Sequence, residues 1–265
     1  KVQRNKTYDI EDFVEDLFTT SNKAQLLFFT NIGKVHWLKA YEIPQASRYS
    51  KGKAIVNLIR LQQNEKINAV LPIKEFQENT FILLATKNGV LKKTPLIEFT
   101  NPRQGGIIAI TLRENDELVD VKLTSGNFDM ILATKNGMAV KFNEEDVRPM
   151  GRAATGVRGI TLEENDELIG IDYAPPTATL LTVTENGYGK RTNLEEYRLI
   201  NRGGKGVINI QTTERNGKVV GIKTVTDEED VMIITKQGII IRVPAKTISV
   251  IGRNTQGVTI MKLKE

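Results

Sequence analysis

Lys93, Lys141, Arg191 and Arg242 each stand four residues after a glycine, and Trp37, the chain's one tryptophan, holds the same place in a fifth copy. A second series stands four residues before a later glycine: Arg48, Arg152, Arg202 and Arg253, with Pro102 in the odd copy and Arg103 one place along. Lys51, Lys53, Lys190 and Lys205 lie within or beside the same segments. Side chains alternate faces along a strand, so a cation at a fixed offset leaves each sheet in a fixed direction. The pattern predicts one cation repeated around one rim. Ammonium and guanidinium groups arrayed in this way neutralise charge rather than make or break bonds, and their regularity suits a regularly charged polyanion. Cations near turns also keep sheet edges from pairing. That role needs charge of either sign at scattered places, whereas these series keep one sign at one offset.

Other chemistries find little support. His36 is the single histidine and there is no cysteine, which removes the usual zinc sites and His-dependent triads and leaves His36 a structural residue. Gly151 and Gly156, like Gly252 and Gly257, have the spacing of a phosphate loop, but Val157 and Val258 stand where that loop needs lysine, so both are read as turns. Arg48-Tyr49 sits in a glycine loop and is not read as a nucleophile pair. Trp37 is read as packing in the core or an edge, with contact to a ligand's rim as the alternative. Acids gather elsewhere: Glu114, Asp116 and Glu117, then Glu163, Glu164, Asp166 and Glu167, then Asp227 to Asp230, while Glu144, Glu145 and Asp146 break the pattern. No catalytic cluster and no cofactor are expected. A net charge of +5 and a pI near 9.2 are only moderately basic, so placement carries the argument rather than total charge. The lack of cysteine, of a signal peptide and of any long apolar run points to a reducing, cytoplasmic setting without a membrane. Asn5-Lys6-Thr7 matches a glycosylation acceptor by chance.

The elements that must hold these cations repeat. Gly33, Gly89, Gly137, Gly187 and Gly238 each close an apolar run, and Gly52, Gly106, Gly156, Gly206 and Gly257 follow 17 to 19 residues later, advancing by about 50 residues per copy. Runs such as Met130-Ile131-Leu132-Ala133-Thr134-Lys135-Asn136-Gly137 read as strands buried on both faces that enter tight hairpins, since Asn and Gly accept positive φ. A short strand is expected after each second glycine, and a fourth recurs in Lys66–Val70, Glu117–Val121, Glu167–Ile171 and Lys218–Ile222. Four strands per 50 residues make a propeller blade. Ile10 to Leu17 occupies the place of a fourth strand with no hairpin before it, and Gly257 to Met261 ends a repeat with no fourth strand after it. Residues 1–265 are thus expected to form one all-β domain with a blade shared or incomplete at the termini, cut from a longer polypeptide.

Three blocks carry a resemblance: Tyr188-Gly189-Lys190-Arg191-Thr192 with Tyr197 and Arg202-Gly203-Gly204-Lys205-Gly206, then Met150 to Ile160, then Ile251 to Val258. They resemble the C-terminal domain of the DNA gyrase A subunit over essentially the whole chain. The resemblance implies an all-β, six-bladed β-pinwheel, a propeller-like ring with swapped strands, whose basic rim wraps duplex DNA for negative supercoiling by a type IIA topoisomerase. It further implies that the domain is non-catalytic and monomeric when isolated, and that ATP and magnesium belong to the rest of the enzyme. The implied partners, besides duplex DNA, are the remainder of the gyrase A subunit itself and, through it, the gyrase B subunit. The family's Gln-Arg-Arg-Gly-Gly-Lys-Gly box belongs to the blade expected upstream of Lys1, and Arg202 to Gly206 imitates its second half in a later repeat. A topoisomerase IV-type domain stays open for that reason, as does a propeller platform for an acidic protein.

Read as a DNA surface, the candidate contacts are Arg48, Lys51, Lys53, Lys93, Arg103, Lys141, Arg152, Lys190, Arg191, Arg202, Lys205, Arg242 and Arg253. Backbone N–H groups in the glycine loops are expected to approach phosphates closely. Contacts of this kind position a duplex without reading its bases.

Overall fold

The computed structural model describes residues 18–47 and 49–263. Ile10 to Leu17, Asn5-Lys6-Thr7, Arg48 and the chain's last two residues lie outside them. Among the described residues there is no α-helix, and no helix is long and apolar enough to cross a membrane.

Each repeat opens with a hairpin: β1 (Gln25–Thr30) with β2 (Lys34–Lys39). The chain then adds β3 (Ile67–Ile73) to β1 before the next hairpin, of β4 (Phe81–Thr86) and β5 (Val90–Pro95), begins. Strand β6 (Ile107–Ile108) and the longer β7 (Leu118–Thr124) come after it. The third repeat supplies β8 (Asp129–Thr134), β9 (Met138–Asn143), β10 (Val157–Arg158) and β11 (Leu168–Tyr173). The fourth supplies β12 (Thr179–Thr184), β13 (Tyr188–Asn193), β14 (Val207–Ile208) and β15 (Val219–Val225), and the fifth β16 (Asp230–Ile234), β17 (Ile240–Pro244) and β18 (Val258–Thr259). A 3-10 turn comes after each hairpin: residues Ala40–Glu42, Leu96–Phe99, Glu144–Asp146, Leu194–Glu196 and Ala245–Thr247.

The sheets are all antiparallel and exchange one strand with their neighbour. Their orders are β3-β1-β2-β6, β7-β4-β5-β10, β11-β8-β9-β14 and β15-β12-β13-β18. Every short strand therefore leaves its own repeat and closes the hairpin of the repeat before it. The fifth hairpin, β16-β17, carries no further strand among the described residues. Against the expected six blades, the described residues form four complete blades and this fifth hairpin. The short strand expected after Gly52 is instead a 3-10 turn, Ile55–Asn57, and no described hairpin precedes it to receive a strand.

The glycine spacing comes from this exchange. The hairpin carbonyl of Gly137 accepts from the Asn209 and Ile210 amides at 2.7 and 3.2 Å, and Gly33, Gly89 and Gly187 accept from two consecutive amides beyond the swapped strand in the same way. Gly137 has φ +93°, and a Cβ there would lie 2.2 Å from the Ile210 carbonyl oxygen. The second glycines meet the preceding repeat from the other side: a Cβ on Gly206 would lie 2.2 Å from the Ala139 carbonyl oxygen.

Strands β3, β7, β11 and β15 lie against one another in series, which places them at the inner edge and the short swapped strands at the outer. Inner contacts are polar as well as apolar. The Asp120 carboxylate accepts from the Ile171 amide at 3.0 Å, and Asp172 accepts from the Thr224 amide at 2.8 Å and faces Lys122 at 3.6 Å. Burial pushes the Asp120 carboxyl up, against the pull of Lys122 and two amide donors. Apolar clusters fill the spaces between blades, for example Leu83, Leu91, Leu132, Val140, Phe142 and Ile160 from consecutive repeats.

Candidate nucleic-acid interface

The two cationic series have different fates. In the first, the side chain turns into the seam between blades and donates to the 3-10 turn region of the next repeat. Lys93 Nζ donates to the Glu144 carbonyl at 2.8 Å, Lys141 Nζ to Leu194 at 3.1 Å, and Arg191 Nε to Ile248 at 3.0 Å. Trp37 Nε1 does the same to Phe99 at 3.0 Å. The property common to the series is an N–H donor of sufficient reach, which explains why a tryptophan stands among cations. Lys93 and Arg191 are buried, and burial pulls the Lys93 ammonium down although Glu144 and Glu145 oppose it. Arg191 also pairs with Asp227 at 2.6 Å. Arg242, whose repeat has no following turn among the described residues, is exposed and pairs with Asp230. The expectation that Lys93, Lys141 and Arg191 point outward along a rim is thus corrected: each reaches across the seam to a carbonyl of the next repeat.

Lys190 is corrected likewise. It is fully buried beneath the loop from Gly252 to Gly257, its Nζ donating to the Gly252 and Arg253 carbonyls at 2.7 and 2.5 Å and to Thr255 Oγ1 at 3.0 Å. Lys92, in the same register, lies under the loop from Gly151 to Gly156 and donates to the Ala109, Arg152 and Ala154 carbonyls. Burial draws Lys92 down to about 7 and Lys190 to about 8, with Glu98 and Glu196 respectively resisting. His36 occupies the equivalent place in the first hairpin. It is buried, its Nε2 lies 2.8 Å from Glu65 Oε1, and a Cβ on Gly106 would strike its ring. Burial pushes the Glu65 carboxyl up, but hydrogen bonds from the Gln62 amide, His36 and Thr30 outweigh it and hold the group low.

The second series does reach the rim. Arg152 donates one guanidinium N–H to the Ile108 carbonyl at 3.1 Å, Arg202 to Arg158 at 2.9 Å, and Arg253 to Ile208 at 2.8 Å. Each acceptor is the second residue of an outermost strand, so the three arginines bridge successive blades along the outer edge. A guanidinium has five donors in a fixed fork, and these half-buried groups keep others facing outward. Arg202 is further braced by its Nε on the Asp146 carbonyl at 2.9 Å, and Arg253 lies over the Tyr197 ring at 5.9 Å. Lys51, Lys53, Arg103 and Lys205 are exposed, the last within 3.6 Å of Glu163. Arg48 lies outside the described residues.

Three more exposed cations belong to this edge and escaped the sequence reading. Arg148 and Arg198 each come directly after the buried anchor of a 3-10 turn, Val147 or Tyr197, and Arg158 ends an outer strand. The signal was present, since each of Arg148 and Arg198 stands eleven residues after a hairpin glycine, but it recurs in only two copies.

The expected segregation of acids from cations holds only in part: Glu163, Asp227 and Asp230 pair with Lys205, Arg191 and Arg242, whereas two other acids cap hairpins. Asp116 caps the second hairpin, accepting from Thr86 Oγ1 at 2.7 Å and the Asn88 amide at 2.9 Å, and Asp166 accepts from the Asn136 amide at 2.9 Å. Glu144, which broke the acidic period, is buried and accepts from Thr124 Oγ1 and from the Gly126 and Phe128 amides. Among the described residues no group of His, Cys, Asp and Glu could hold a metal ion.

The same five units appear in known proteins. A family model described as "DNA gyrase C-terminal domain, beta-propeller" matches residues 24–74, 80–125, 129–174, 178–226 and 229–265, and each of the first four segments holds one hairpin and its inner strand. The DNA gyrase A subunit of Halalkalibacterium halodurans is 59% identical over 255 residues, covering 96% of this chain and 31% of that protein. The Escherichia coli counterpart is 44% identical, covering 96% and 29%. The chain therefore spans about a third of the length of these relatives. Among solved structures, a DNA gyrase A C-terminal domain superposes with a TM-score of 0.82 at 27% identity, covering 92% of this chain and 80% of that one. The C-terminal domain of a DNA topoisomerase IV gives 0.82 at 28%, covering 91% and 76%. With all five repeats matched, the chain belongs to the DNA gyrase C-terminal domain, β-propeller family.

Proposed function

We propose that residues 1–265 act as one non-catalytic domain that binds, bends and chirally wraps duplex DNA around the outer edge of the blades. The observation that carries this reading is the set of arginines, Arg152, Arg202 and Arg253, that bridge successive outermost strands while keeping guanidinium donors outward. Lys51, Lys53, Arg103 and Lys205 extend the set, and Arg148, Arg158 and Arg198 join it. Duplex DNA carries about one phosphate charge per 1.7 Å of axis, and neutralising it releases counterions whatever the sequence. Bending 20–30 bp by 40–90° costs on the order of 1–6 kcal/mol, so several blades must share the load. Preference among sequences then depends on bendability rather than base contacts.

In this reading the parent is an ATP-dependent type II topoisomerase of the bacterial cytoplasm, with ATP and magnesium bound elsewhere. The partners are DNA, the rest of the gyrase A subunit itself and, through it, the gyrase B subunit. Gyrase is favoured over topoisomerase IV because the relatives at 59% and 50% identity are gyrase A subunits.

The test is ligation of nicked circular DNA in the presence of the chain, followed by topoisomer analysis after protein removal. A shifted linking number is expected. Binding without a shift would reduce the role to bending, and no binding to duplex DNA at moderate salt would leave a platform for an acidic protein.

A further inference from the structure

The loops from Gly151 to Gly156 and from Gly252 to Gly257 share an arrangement that the loop between them lacks. A buried ammonium, Lys92 or Lys190, takes up carbonyls on the inner side of each loop, those of Arg152 and Ala154 in one and of Gly252 and Arg253 in the other. The equivalent residue under the loop from Arg202 to Gly206 is Val140. Turning carbonyls inward presents amides outward, and in both loops the arginine amide meets a carboxylate from the preceding repeat's 3-10 turn. The Arg152 N–H donates to Glu98 Oε2 at 3.1 Å and the Arg253 N–H to Glu196 Oε2 at 3.3 Å. The same carboxylate oxygens are the first atoms that a Cβ on Gly151 or Gly252 would meet, at 3.9 and 3.7 Å, so they lie over the glycine as well. The next amides, Ala153 and Asn254, are on exposed residues and have no protein acceptor among the described residues.

An acid on an arginine-bearing edge is out of place if the edge only attracts anions. Backbone N–H groups backed by a buried cation make an anion site of the nest type, and a carboxylate seated on one stands where a phosphate oxygen would bind. We propose that these two loops are phosphodiester subsites of the wrapping surface, each occupied in the free protein by Glu98 or Glu196, which a DNA phosphate displaces. The inference rests on the DNA-wrapping reading and adds two things to it: particular backbone contacts, and an internal competitor that weakens binding. Displacement exchanges one charge-assisted bond for another and frees each glutamate to solvent.

The comparison that tests it matches net charge between two variants. Glu145 and Glu195 lie on equivalent turns, are exposed, and accept no hydrogen bond among the described residues. Affinity for a 40 bp duplex should rise in E98Q/E196Q by about fivefold or more beyond any rise in E145Q/E195Q, since a bond to a charged group outweighs one exposed charge at moderate salt. Equal gains in the two variants would mean simple charge screening and overturn the proposal. A second measurement needs no DNA. Inorganic phosphate added to the isotopically labelled chain should shift the Ala153 and Asn254 amide resonances in E98Q/E196Q at concentrations that leave wild type unmoved. Absence of that shift in the variant would also overturn it, whereas failure of wild type to bind any duplex would remove the wrapping reading and leave the phosphate result to stand alone.

Discussion

Trp37 and Lys141 differ in charge, size and shape, yet each donates one N–H to a carbonyl of the following repeat's turn. That equivalence separates two kinds of basic residue that look alike in the sequence. Replacing Lys141 by Met should lower stability by about 1 kcal/mol, the net worth of one hydrogen bond, and leave the salt dependence of DNA binding unchanged. Replacing Arg202 by Ala should weaken binding uniformly across DNA sequences and reduce the slope of log K against log salt by about one, which a titration series at several salt concentrations reads directly. The buried ammoniums add a pH effect. Lys92 has an ordinary value of 10.5 when unfolded and about 7 when folded, so between those values the unfolded chain holds the extra proton. Stability contributed at this site therefore rises with pH from about 7 towards 10.5. Denaturant titrations of wild type and K92M at pH 7 and pH 9.5 should show the difference moving in favour of wild type at the higher pH.

At the scale of elements, the two-residue outer strands are too short to be stable edges alone. They are held by the residues just beyond them, where two consecutive amides reach the hairpin glycine carbonyl of the preceding repeat. A side chain at Gly137 would meet that docking backbone and also require a positive φ, so G137A should cost about 2–4 kcal/mol. Gly52 has φ +72° but nothing within 4 Å of an added Cβ, so G52A should cost only the backbone strain, about 1 kcal/mol. Thermal unfolding of the two variants measures the difference, and equal losses would mean that the close approach matters no more than the dihedral angle.

At the scale of the molecule, the arrangement turns a linear repeat into an edge with one polarity. Polar contacts of Asp120 and Asp172 join the inner strands, while the arginine bridges run along the outer ones. Besides these contacts, each seam between complete blades is crossed by an exchanged strand and by a donor from the second hairpin strand. Apart from Arg242, which pairs with Asp230, seven of the expected contacts are exposed or half-buried: Lys51, Lys53, Arg103, Arg152, Arg202, Lys205 and Arg253. If each met one phosphate, log K would fall with log salt at a slope near 6, by the factor of about 0.9 per phosphate. A slope near 2 would mean that only one or two blades touch DNA at a time.

Sequence by itself determined the repeat, its hairpins and its blades, because strand burial and positive-φ turns leave short-range marks: apolar runs ending in Asn-Gly and glycines at a constant interval. It also marked the two periodic series of cations, though not Arg148, Arg158 and Arg198. Only the tertiary structure decided which cations face solvent. Lys93 and Arg152 are equally periodic and equally basic, and the difference between them is the neighbour across the seam, a carbonyl of the next repeat's turn for one and the open side of an outer strand for the other. The destination of the short strands was undecided in the residues for the same reason. A two-residue strand pairs as well with its own hairpin as with the one before, and the choice lies in close approaches at Gly137 and Gly206 that involve residues about 70 apart.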